Sequence, residues 1–270
     1  MFTIITPTHK RKDALLRTVE SVTSQEVEQW EMIIVNDSPE DDSYVGIEAE
    51  LSDKRITYVI NEKNMGVNFS RNRALELMKP TSDSWVIFLD DDDYLAPNAL
   101  SKVASIIAAY PGEQWLLMNR AYPDGKPVTV AYQNTRHYFF VFDILFLKKI
   151  KGDPTHCIKA SSLLSVRFPK TIKQGEEWLF FYELGCNTML FYYDYNCTLT
   201  DGYQADGLNL RQRSLQERLV TIFALIKESN TRKLLWRPSI LLYFAARFVL
   251  LVIAAIKEKI LPKARELLEV

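Results

Sequence analysis

Four consecutive aspartates, Asp90 to Asp93, follow an apolar segment of the kind that forms a buried strand. Alternate side chains of an extended segment share one face, so Asp90 and Asp92 are predicted to point into one site and Asp91 and Asp93 away from it. Two carboxylates on one face repel each other unless a cation lies between them. Mg²⁺ and Mn²⁺ favour such hard oxygen ligands and bind through one or two carboxylates plus substrate phosphates. The run therefore predicts a site for a metal ion and a diphosphate.

An acidic run also occurs in solvated turns and at helix N-termini, where negative charge is favourable. The position of this run favours a ligand site instead. Residues 85–89 are too apolar for a surface strand, and ligands of open α/β sheets bind outside the carboxyl ends of strands. A solvated turn remains the alternative interpretation.

The elements around this run are predicted from alternating apolar and amphipathic segments in the first half of the chain. Strand and helix alternation of this kind indicates an α/β fold, with a mainly parallel central sheet flanked by helices. The predicted strands are 2–6, 31–36, 56–60 and 85–89, and the predicted helices are 13–25, 47–51, 68–78 and 97–109, with Pro97 early in the last one. Weaker patterns predict strands near 115–118, 128–133 and 190–198, and helices at 178–184, at 215–226 and from about 238.

Composition limits the class of protein. The chain has 270 residues, of which 47% are apolar and 25% charged, which is ordinary for one large domain or a domain with an appendage. It has three cysteines, an odd number, and none has C-x-x-C spacing with another: Cys157, Cys186 and Cys197. This predicts reduced thiols and a cytosolic setting. A first strand that starts at Phe2 predicts that no signal peptide is present. Glycine-rich dinucleotide and P-loop motifs do not occur.

Charge is distributed unevenly along the chain. Residues 231–270 contain eight Lys or Arg and three Glu, a balance of +5, so the first 230 residues carry −6 of the total of −1. An acidic body is a poor partner for nucleic acid, and nucleic-acid binding is therefore excluded. A basic and apolar C-terminal segment indicates an extension that binds to the surface of a membrane or of another protein.

The apolar stretch 240–256 lies within that extension. Its 17 residues fall short of the ~20 that a spanning helix needs, and Arg247 at its centre adds about 2.5–3.5 kcal/mol against insertion. Two alternatives stay open: a helix at the membrane surface, which the basic residues of 232–263 would suit, or a buried contact with the catalytic body or another subunit. The predicted location is cytoplasmic, with peripheral contact at the inner face of the cell membrane.

Four motifs occur at predicted strand ends, in one order, over residues 1–185. The chain resembles the family 2 glycosyltransferases of GT-A fold, inverting enzymes that transfer a sugar from a nucleotide-sugar donor to an acceptor hydroxyl. The motifs are Thr6-Pro7-Thr8-His9-Lys10-Arg11, resembling P-[TS]-x-N-R; Val35-Asn36-Asp37-Ser38, resembling V-[DN]-D-[GS]; Asn64 to Asn72, resembling N-x-G-x-x-x-A-R-N; and Leu89 to Asp93, resembling L-D-x-D-D.

The resemblance implies roles for individual residues. It implies that Asp37 binds the nucleotide base, with Pro7 and Thr8 lining the pocket. It also implies that Asp92 holds Mn²⁺ or Mg²⁺ and that Asp90 contacts the ribose of the nucleotide or the metal. The remaining implied nucleotide contacts are Arg11, Asn64, Arg71 and Asp91. From the residues alone, Asp37 could instead form a turn with its own backbone, and Arg71 could make a surface ion pair.

The motif Gly175-Glu176-Glu177-Trp178 resembles the family's G-E-D-W, whose aspartate is the general base. Glu177 occupies that position. Its extra methylene moves the carboxylate oxygens by more than about 1 Å, a displacement that affects catalysis. Either the backbone lies further back or Glu176 is the base; an acidic first turn of a helix is the structural alternative.

Together these features predict a metal-dependent inverting glycosyltransferase of bacterial polysaccharide or lipopolysaccharide assembly, with a UDP-sugar donor and a saccharide or lipid-linked acceptor. The catalytic domain is placed at 1–212, with a nucleotide-binding half at 1–112 and an acceptor half at 113–212, and the helical extension at 213–270. Arg211 and Arg213 are candidates for donor-diphosphate contacts. The rivals are a sugar nucleotidyltransferase, although the segment Thr6–Arg11 lacks that class's glycines, and a non-catalytic membrane-associated scaffold.

Overall fold

The computed structural model describes residues 1–79, 81–131, 136–202 and 214–268, with side chains up to residue 256. Its contacts divide it into two compact units. The first unit comprises Met1–Phe168 and Lys173–Gly202, and the second comprises Pro169–Ile172 and the described residues from 214 onward. Pro80, Arg211 and Arg213 lie outside the described residues, as does part of the strand predicted at 128–133.

Nine strands of the described residues form one sheet in the first unit. Parallel pairs join the first strands in the order β3-β2-β1-β4, and the order continues through β10, β6, β11 and β5, with β8 paired to β11. The sheet strands are β1 (Phe2–Thr8), β2 (Trp30–Asn36), β3 (Ile56–Ile60), β4 (Trp85–Phe88), β5 (Asp93–Leu95), β6 (Trp115–Ala121), β8 (His137–Tyr138), β10 (Thr155–Lys159) and β11 (Leu190–Thr200). A separate pair joins β7 (Val130–Ala131) to β9 (Ile150–Lys151).

The predicted α/β class is confirmed, but the sheet is mixed rather than mainly parallel. Strand β10 runs antiparallel between β4 and β6, and β5 and β8 run antiparallel to β11. The sequence pattern does not predict β5 or β10, because β5 begins on an aspartate and β10 is short and mixed in polarity.

Helices cover both faces of the sheet. Helices α1 and α4 contribute to an apolar core with alternate side chains of β1, β2 and β4, whereas α3 packs against β1 and β2. The helices are α1 (Lys12–Thr23), α2 (Ile47–Glu50), α3 (Val67–Leu77), α4 (Ala99–Ala109), α5 (Trp178–Gly185), α6 (Leu215–Thr231) and α7 (Pro238–Leu268), with a π-helix at Phe140–Phe146. Pro97, which the sequence pattern predicts within α4, lies outside it, since Asn98 takes a left-handed conformation (φ 58°) and the helix begins at Ala99.

In the second unit, α6 begins with a capping box between Ser214 and Glu217. Helix α7 includes Pro238–Ile256, which by length and composition alone could cross a membrane. Most of its apolar side chains are exposed, among them Leu242 and Leu250. Trp236, just before the helix, is 77% exposed.

The N-terminus of α3 lies against the segment that precedes α5. The Asn68 amide N–H donates to the Lys173 carbonyl at 3.2 Å, and its side chain donates to the Gly175 carbonyl at 3.0 Å. Gly66, which precedes α3, has φ +93°, and a Cβ there would lie 2.3 Å from the Lys173 carbonyl oxygen. Only glycine permits this close approach.

Gly66→Ala is expected to destabilise the protein by about 2 kcal/mol more than Gly46→Ala, from overpacking of the kind that costs about 1–3 kcal/mol. The two positions form a matched pair, because Gly46 also has a positive φ (+78°) but a Cβ there would meet nothing within 4 Å. Urea unfolding of both variants measures the difference. Equal destabilisation would show that the contact with Lys173 imposes no steric demand.

Candidate active site

The carboxyl ends of the parallel strands β1, β2 and β4 meet at one edge of the sheet. Chain segments leaving these ends carry the motifs at Thr8–Arg11, Asn36–Ser38 and Asp90–Asp93. Because the strands are in register and adjacent, the three motifs lie side by side. The predicted convergence at a strand edge is therefore present.

The acidic run forms a turn in which the Asp93 amide donates to the Asp90 carbonyl at 3.2 Å. The Thr18 hydroxyl of α1 hydrogen-bonds to the carbonyls of Asp91 and Asp93, at 3.1 and 2.6 Å. The side chains of Asp90 and Asp92 are 41% and 22% exposed, against 8% for Asp91 and for Asp93. The predicted alternation thus holds, although a turn produces it.

Arg11 contacts the acidic run from the first motif. Its Nη1 donates to Asp92 Oδ2 at 2.6 Å and lies 3.5 Å from Asp91 Oδ1. The His9 amide also donates to Asp91 Oδ2, at 3.2 Å. Burial raises the pKa of Asp91 to about 7, with the charge of Asp92 adding to the rise. Burial and the charge of Asp90 likewise raise the pKa of Asp92, against the effect of Arg11.

Arg71 of α3 joins the acidic run to the predicted base. Its Nη2 donates to Asp90 Oδ1 at 2.7 Å and its Nη1 to Glu177 Oε1 at 3.1 Å. Only 9% of Arg71 is exposed, and its guanidinium lies 5.4 Å from the centroid of the Phe168 ring. Burial would raise the pKa of Asp90, but the charge and hydrogen bond of Arg71 outweigh it and lower that pKa.

Glu177 directly precedes α5, and its conformation is helical (φ −58°). Gly175 and Glu176 before it both have a positive φ, of 72° and 61°. This left-handed pair turns the two glutamates in different directions. Glu176 accepts a hydrogen bond from Trp178 Nε1 at 2.7 Å, whereas Glu177 faces Arg71.

Asp37 is 4% exposed and orders the loop before α3. Its Oδ1 accepts from Asn61 Nδ2 and from the Met65 amide, both at 2.7 Å, and its Oδ2 accepts from the Gly66 amide at 2.7 Å. Carboxylate oxygens hold about two acceptor positions each, so Oδ2 keeps one for a further donor. Asp37 is therefore more than a turn residue bonded to its neighbours.

The remaining predicted nucleotide residues lie at the same edge. Pro7 is buried within β1, and the Thr8 hydroxyl shares a 2.7 Å hydrogen bond with the Tyr44 hydroxyl. Asn64 is exposed, and its Nδ2 lies 3.4 Å from Nε2 of His9. Thr8 contacts both neighbouring motifs, because its carbonyl accepts from the Asp37 amide at 2.8 Å and its side chain hydrogen-bonds to Asp91.

Sequence reasoning missed Arg120 and Asp153. Arg120 of β6 is 8% exposed, and it ion-pairs with Asp93 at 3.2 Å and Asp153 at 2.8 Å while donating to the Thr200 hydroxyl at 3.1 Å. Burial raises the pKa of Asp153, and the charges of Asp90 and Glu177 raise it further. Both residues lie in a region that matches no motif of the family. Only the order of strands in the sheet shows that they lie near the acidic run.

Within the described residues, no group of three or more His, Cys, Asp or Glu side chains is arranged to hold a metal ion. Asp90 and Asp92 nevertheless fit a hard cation. Both are accessible carboxylates on one turn, and the charge of Asp90 raises the pKa of Asp92. The repulsion that remains beside the ion pairs with Arg11 and Arg71 is what a divalent ion bound also by substrate oxygens would reduce.

A family model described as glycosyl transferase family 2 matches residues 3–172, which is more than half of the chain. The chain belongs to glycosyl transferase family 2. This assignment confirms the predicted family.

Curated relatives agree with the assignment. An uncharacterized glycosyltransferase of Haemophilus influenzae is 29% identical over 174 residues, covering 62% of this chain and 55% of the relative. The UDP-Glc:alpha-D-GlcNAc-diphosphoundecaprenol beta-1,3-glucosyltransferase WfaP of Escherichia coli is 35% identical over 101 residues, covering 37% of this chain and 39% of the relative. The chain thus spans about half or less of the length of these relatives.

Solved structures support the fold. S. aureus TarS, residues 1–349 in complex with UDP-GlcNAc, superposes with a TM-score of 0.66 at 18% identity, over 87% of this chain and 70% of TarS. GalNAc-T7 with UDP, GalNAc and Mn²⁺ superposes with a TM-score of 0.57 at 12% identity, over 84% of this chain and 48% of that one. The predicted GT-A fold is confirmed.

Proposed function

We propose that the chain transfers a sugar, with inversion, from a UDP-sugar to a hydroxyl of a saccharide or lipid-linked saccharide during the assembly of a bacterial surface polysaccharide. The observation that carries the proposal is the Arg71 bridge between Asp90 and Glu177. It puts the donor side of the site and a candidate base on either side of one guanidinium. The family assignment supports the sugar-transfer chemistry.

The donor side is built by the ends of β1, β2 and β4. Asp37, with its remaining acceptor position, would bind the base beside Pro7 and Thr8. A UDP donor and a lipid-linked acceptor are proposed because the name of WfaP includes UDP-Glc and diphosphoundecaprenol, and because TarS was solved with UDP-GlcNAc.

Asp90 and Asp92 would hold Mn²⁺ or Mg²⁺, as the repulsion that remains between them suggests. When bound, the ion neutralises the diphosphate charge that develops as the donor bond breaks. Arg11 and Arg71 orient these carboxylates from opposite sides. Asp91, buried beneath them, keeps the turn in place through the His9 amide.

Glu177 is the proposed general base. Its Oε1 is held by Arg71, while its Oε2 has no hydrogen-bond partner among the described residues. The proton of the acceptor hydroxyl moves to Glu177 as that oxygen forms a bond to the anomeric carbon, and the bond from this carbon to the nucleoside diphosphate breaks. Glu176 is disfavoured because Trp178 engages its carboxylate.

Contact with a membrane surface is proposed for α7. Its exposed apolar side chains begin after Trp236, and Lys233 and Arg237 flank that indole. Exposed aromatic and basic residues beside an apolar helix suit the interface of an anionic bilayer. Such contact would bring the enzyme to a lipid-linked acceptor. A contact with a second copy of the chain is the other candidate.

Loss of the metal carboxylate is the first test. Asp92→Ala is expected to abolish turnover and to remove Mn²⁺-dependent UDP binding, because one carboxylate alone holds the ion weakly. Calorimetry of UDP, GDP, dTDP and CDP binding, each with and without Mn²⁺, measures this on the wild type and the variant. Asp124→Ala, at an exposed turn far along the chain, is the control. Full activity with unchanged metal dependence in Asp92→Ala would remove Asp92 from the proposal.

Binding of none of the four nucleotides by folded wild-type protein would contradict the donor site as a whole. The acidic run would then be a surface turn, and a non-catalytic scaffold would account for the family resemblance. Metal-dependent binding of a nucleotide other than UDP would change the proposed donor to a sugar of that nucleotide and would still support the proposed binding site.

Glu177→Gln is expected to lower the transfer rate about 10²–10⁴-fold, the usual contribution of a general base. Nucleotide affinity should stay within about twofold, because the amide can still accept from Arg71. Glu176→Gln is the matched control and should retain most of the activity. Transfer rates and calorimetric affinities of both variants decide the assignment, and parallel loss of rate and affinity in Glu177→Gln would indicate a structural role.

Vesicle flotation tests the membrane contact. The full chain is expected to float with vesicles containing phosphatidylglycerol, and Lys233→Gln/Arg237→Gln should weaken this binding by roughly tenfold or more, at about 1 kcal/mol per basic residue. Lys63→Gln, an exposed lysine of the first unit, is the control. A stable dimer in solution that does not bind anionic vesicles would instead favour a contact between two subunits through α7.

A further inference from the structure

His156 lies beside the candidate active site, on the strand that sequence patterns do not predict. Cys157 of β10 pairs with Ile87 of β4 in an antiparallel register, so His156 lies opposite Phe88 and shares its face of the sheet. That face carries the rings of Phe168 and Phe180, at 5.3 and 5.8 Å from Phe88. Asp90, two residues beyond Phe88, begins the acidic run at the same end of the strand pair.

Two contacts fix the orientation and tautomer of the His156 ring. It stacks on Phe181 with a centroid separation of 4.0 Å and an interplanar angle of 15°. Its Nδ1 accepts a hydrogen bond from Trp115 Nε1 at 3.0 Å. Because an indole nitrogen only donates, Nδ1 carries the lone pair and the neutral ring has its proton on Nε2.

The ring stays neutral under physiological conditions. Burial lowers the pKa of His156 to about 3, and the nearby charge of Arg71 lowers it further. A neutral ring of this kind does not exchange protons as an acid or base near pH 7. It presents one oriented N–H donor at Nε2. This donor has no hydrogen-bond partner among the described residues, and the residue is partly exposed.

Asp153, three residues before His156 and just before β10, carries a hydrogen-bond acceptor. Its carboxylate is held by Arg120 at 2.8 Å while half of the side chain stays exposed. The charges of Asp90, Arg71 and Glu177 all influence its pKa, so it lies within electrostatic reach of the predicted base. An oriented N–H donor and a fixed carboxylate acceptor are the groups that bind sugar hydroxyls.

The sheet order places β10 on the side of β4 that lies away from β1 and β2. Nucleotide residues come from β1 and β2, the acidic run leaves β4, and β10 lies beyond β4 on the other side. Phe181, on which His156 stacks, lies one helical turn after Glu177. His156 thus packs against the first turn of α5, which Glu177 directly precedes.

We propose that His156 Nε2–H and the Asp153 carboxylate bind hydroxyl groups of the acceptor saccharide and orient it toward Glu177. This inference rests on the proposed function, since it names acceptor contacts for the same transfer reaction. His156 acts as a neutral binding group and takes no proton in the reaction.

The test uses the full chain, a radiolabelled UDP-sugar and, as acceptor, membranes from the cells in which the chain naturally occurs. His156→Asn keeps an acceptor for Trp115 near the Nδ1 position but lacks the reach of Nε2, whereas His156→Gln places an amide N–H near the Nε2 position. His156→Asn is expected to raise the half-saturating amount of membranes about tenfold, the loss of one good hydrogen bond. His156→Gln should stay within about threefold of the wild type, and Asp153→Asn should show a rise like that of His156→Asn.

Calorimetric UDP affinity in the presence of Mn²⁺ should be unchanged within about twofold in all three variants, and their melting temperatures serve to check folding. Wild-type half-saturation in both His156→Asn and Asp153→Asn would overturn the inference, and so would a parallel loss of UDP affinity. If the wild type neither binds nucleotide nor labels membranes, the proposed function itself fails. If the wild type is active and the variants behave like it, the proposed function stands and only the proposed acceptor contacts are rejected.

Discussion

The buried guanidinium of Arg71 is the interaction on which the site depends. A buried charge is tolerated only when it is paired, and removing one partner of such a pair commonly costs several kcal/mol. Arg71 is paired with Asp90 and Glu177, which leave different elements of the fold. Helix α3, the exit of β4 and the start of α5 must therefore assemble together before any of the three charges is satisfied.

A wider balance of charge surrounds this pair. Among the described residues, Arg11, Arg71 and Arg120 each contact part of the acidic run, and each comes from a separate element. The carboxylates at the site are Asp90 to Asp93, Asp153 and Glu177, six against the three guanidiniums that ion-pair with them, while Arg17, which donates to the Asp92 carbonyl at 3.3 Å, is paired with Asp201. Burial raises the pKa of Asp91 to about 7 and also raises that of Asp93, because a charged carboxylate is disfavoured away from water. The accessible acids, Asp90 and Asp92, are left as the ones with room for a cation.

Much of this arrangement could be predicted because parallel strands carry their ends to one edge. The strands containing Ile4, Ile34 and Ile87 are short apolar runs, and the polar motifs that follow them must then lie together. By contrast, β10 inserts between β4 and β6, far from its place in the chain order. Nothing in Thr155–Lys159 indicates that position, so His156 and Asp153 could not be connected to the site from sequence. Their role depends on long-range pairing, which periodicity does not report.

The backbone makes a sharp reversal just before Glu177. Gly175 and Glu176 are both left-handed, and for Glu176, a residue with a Cβ, this conformation costs about 1 kcal/mol or more. Strain of this kind persists only where surrounding contacts impose it, and here the Glu176 carboxylate is held by Trp178 while Asn68 holds the Gly175 carbonyl. The same contacts orient Glu177 toward Arg71. One turn therefore accounts both for the strain at Glu176 and for the orientation of the candidate base.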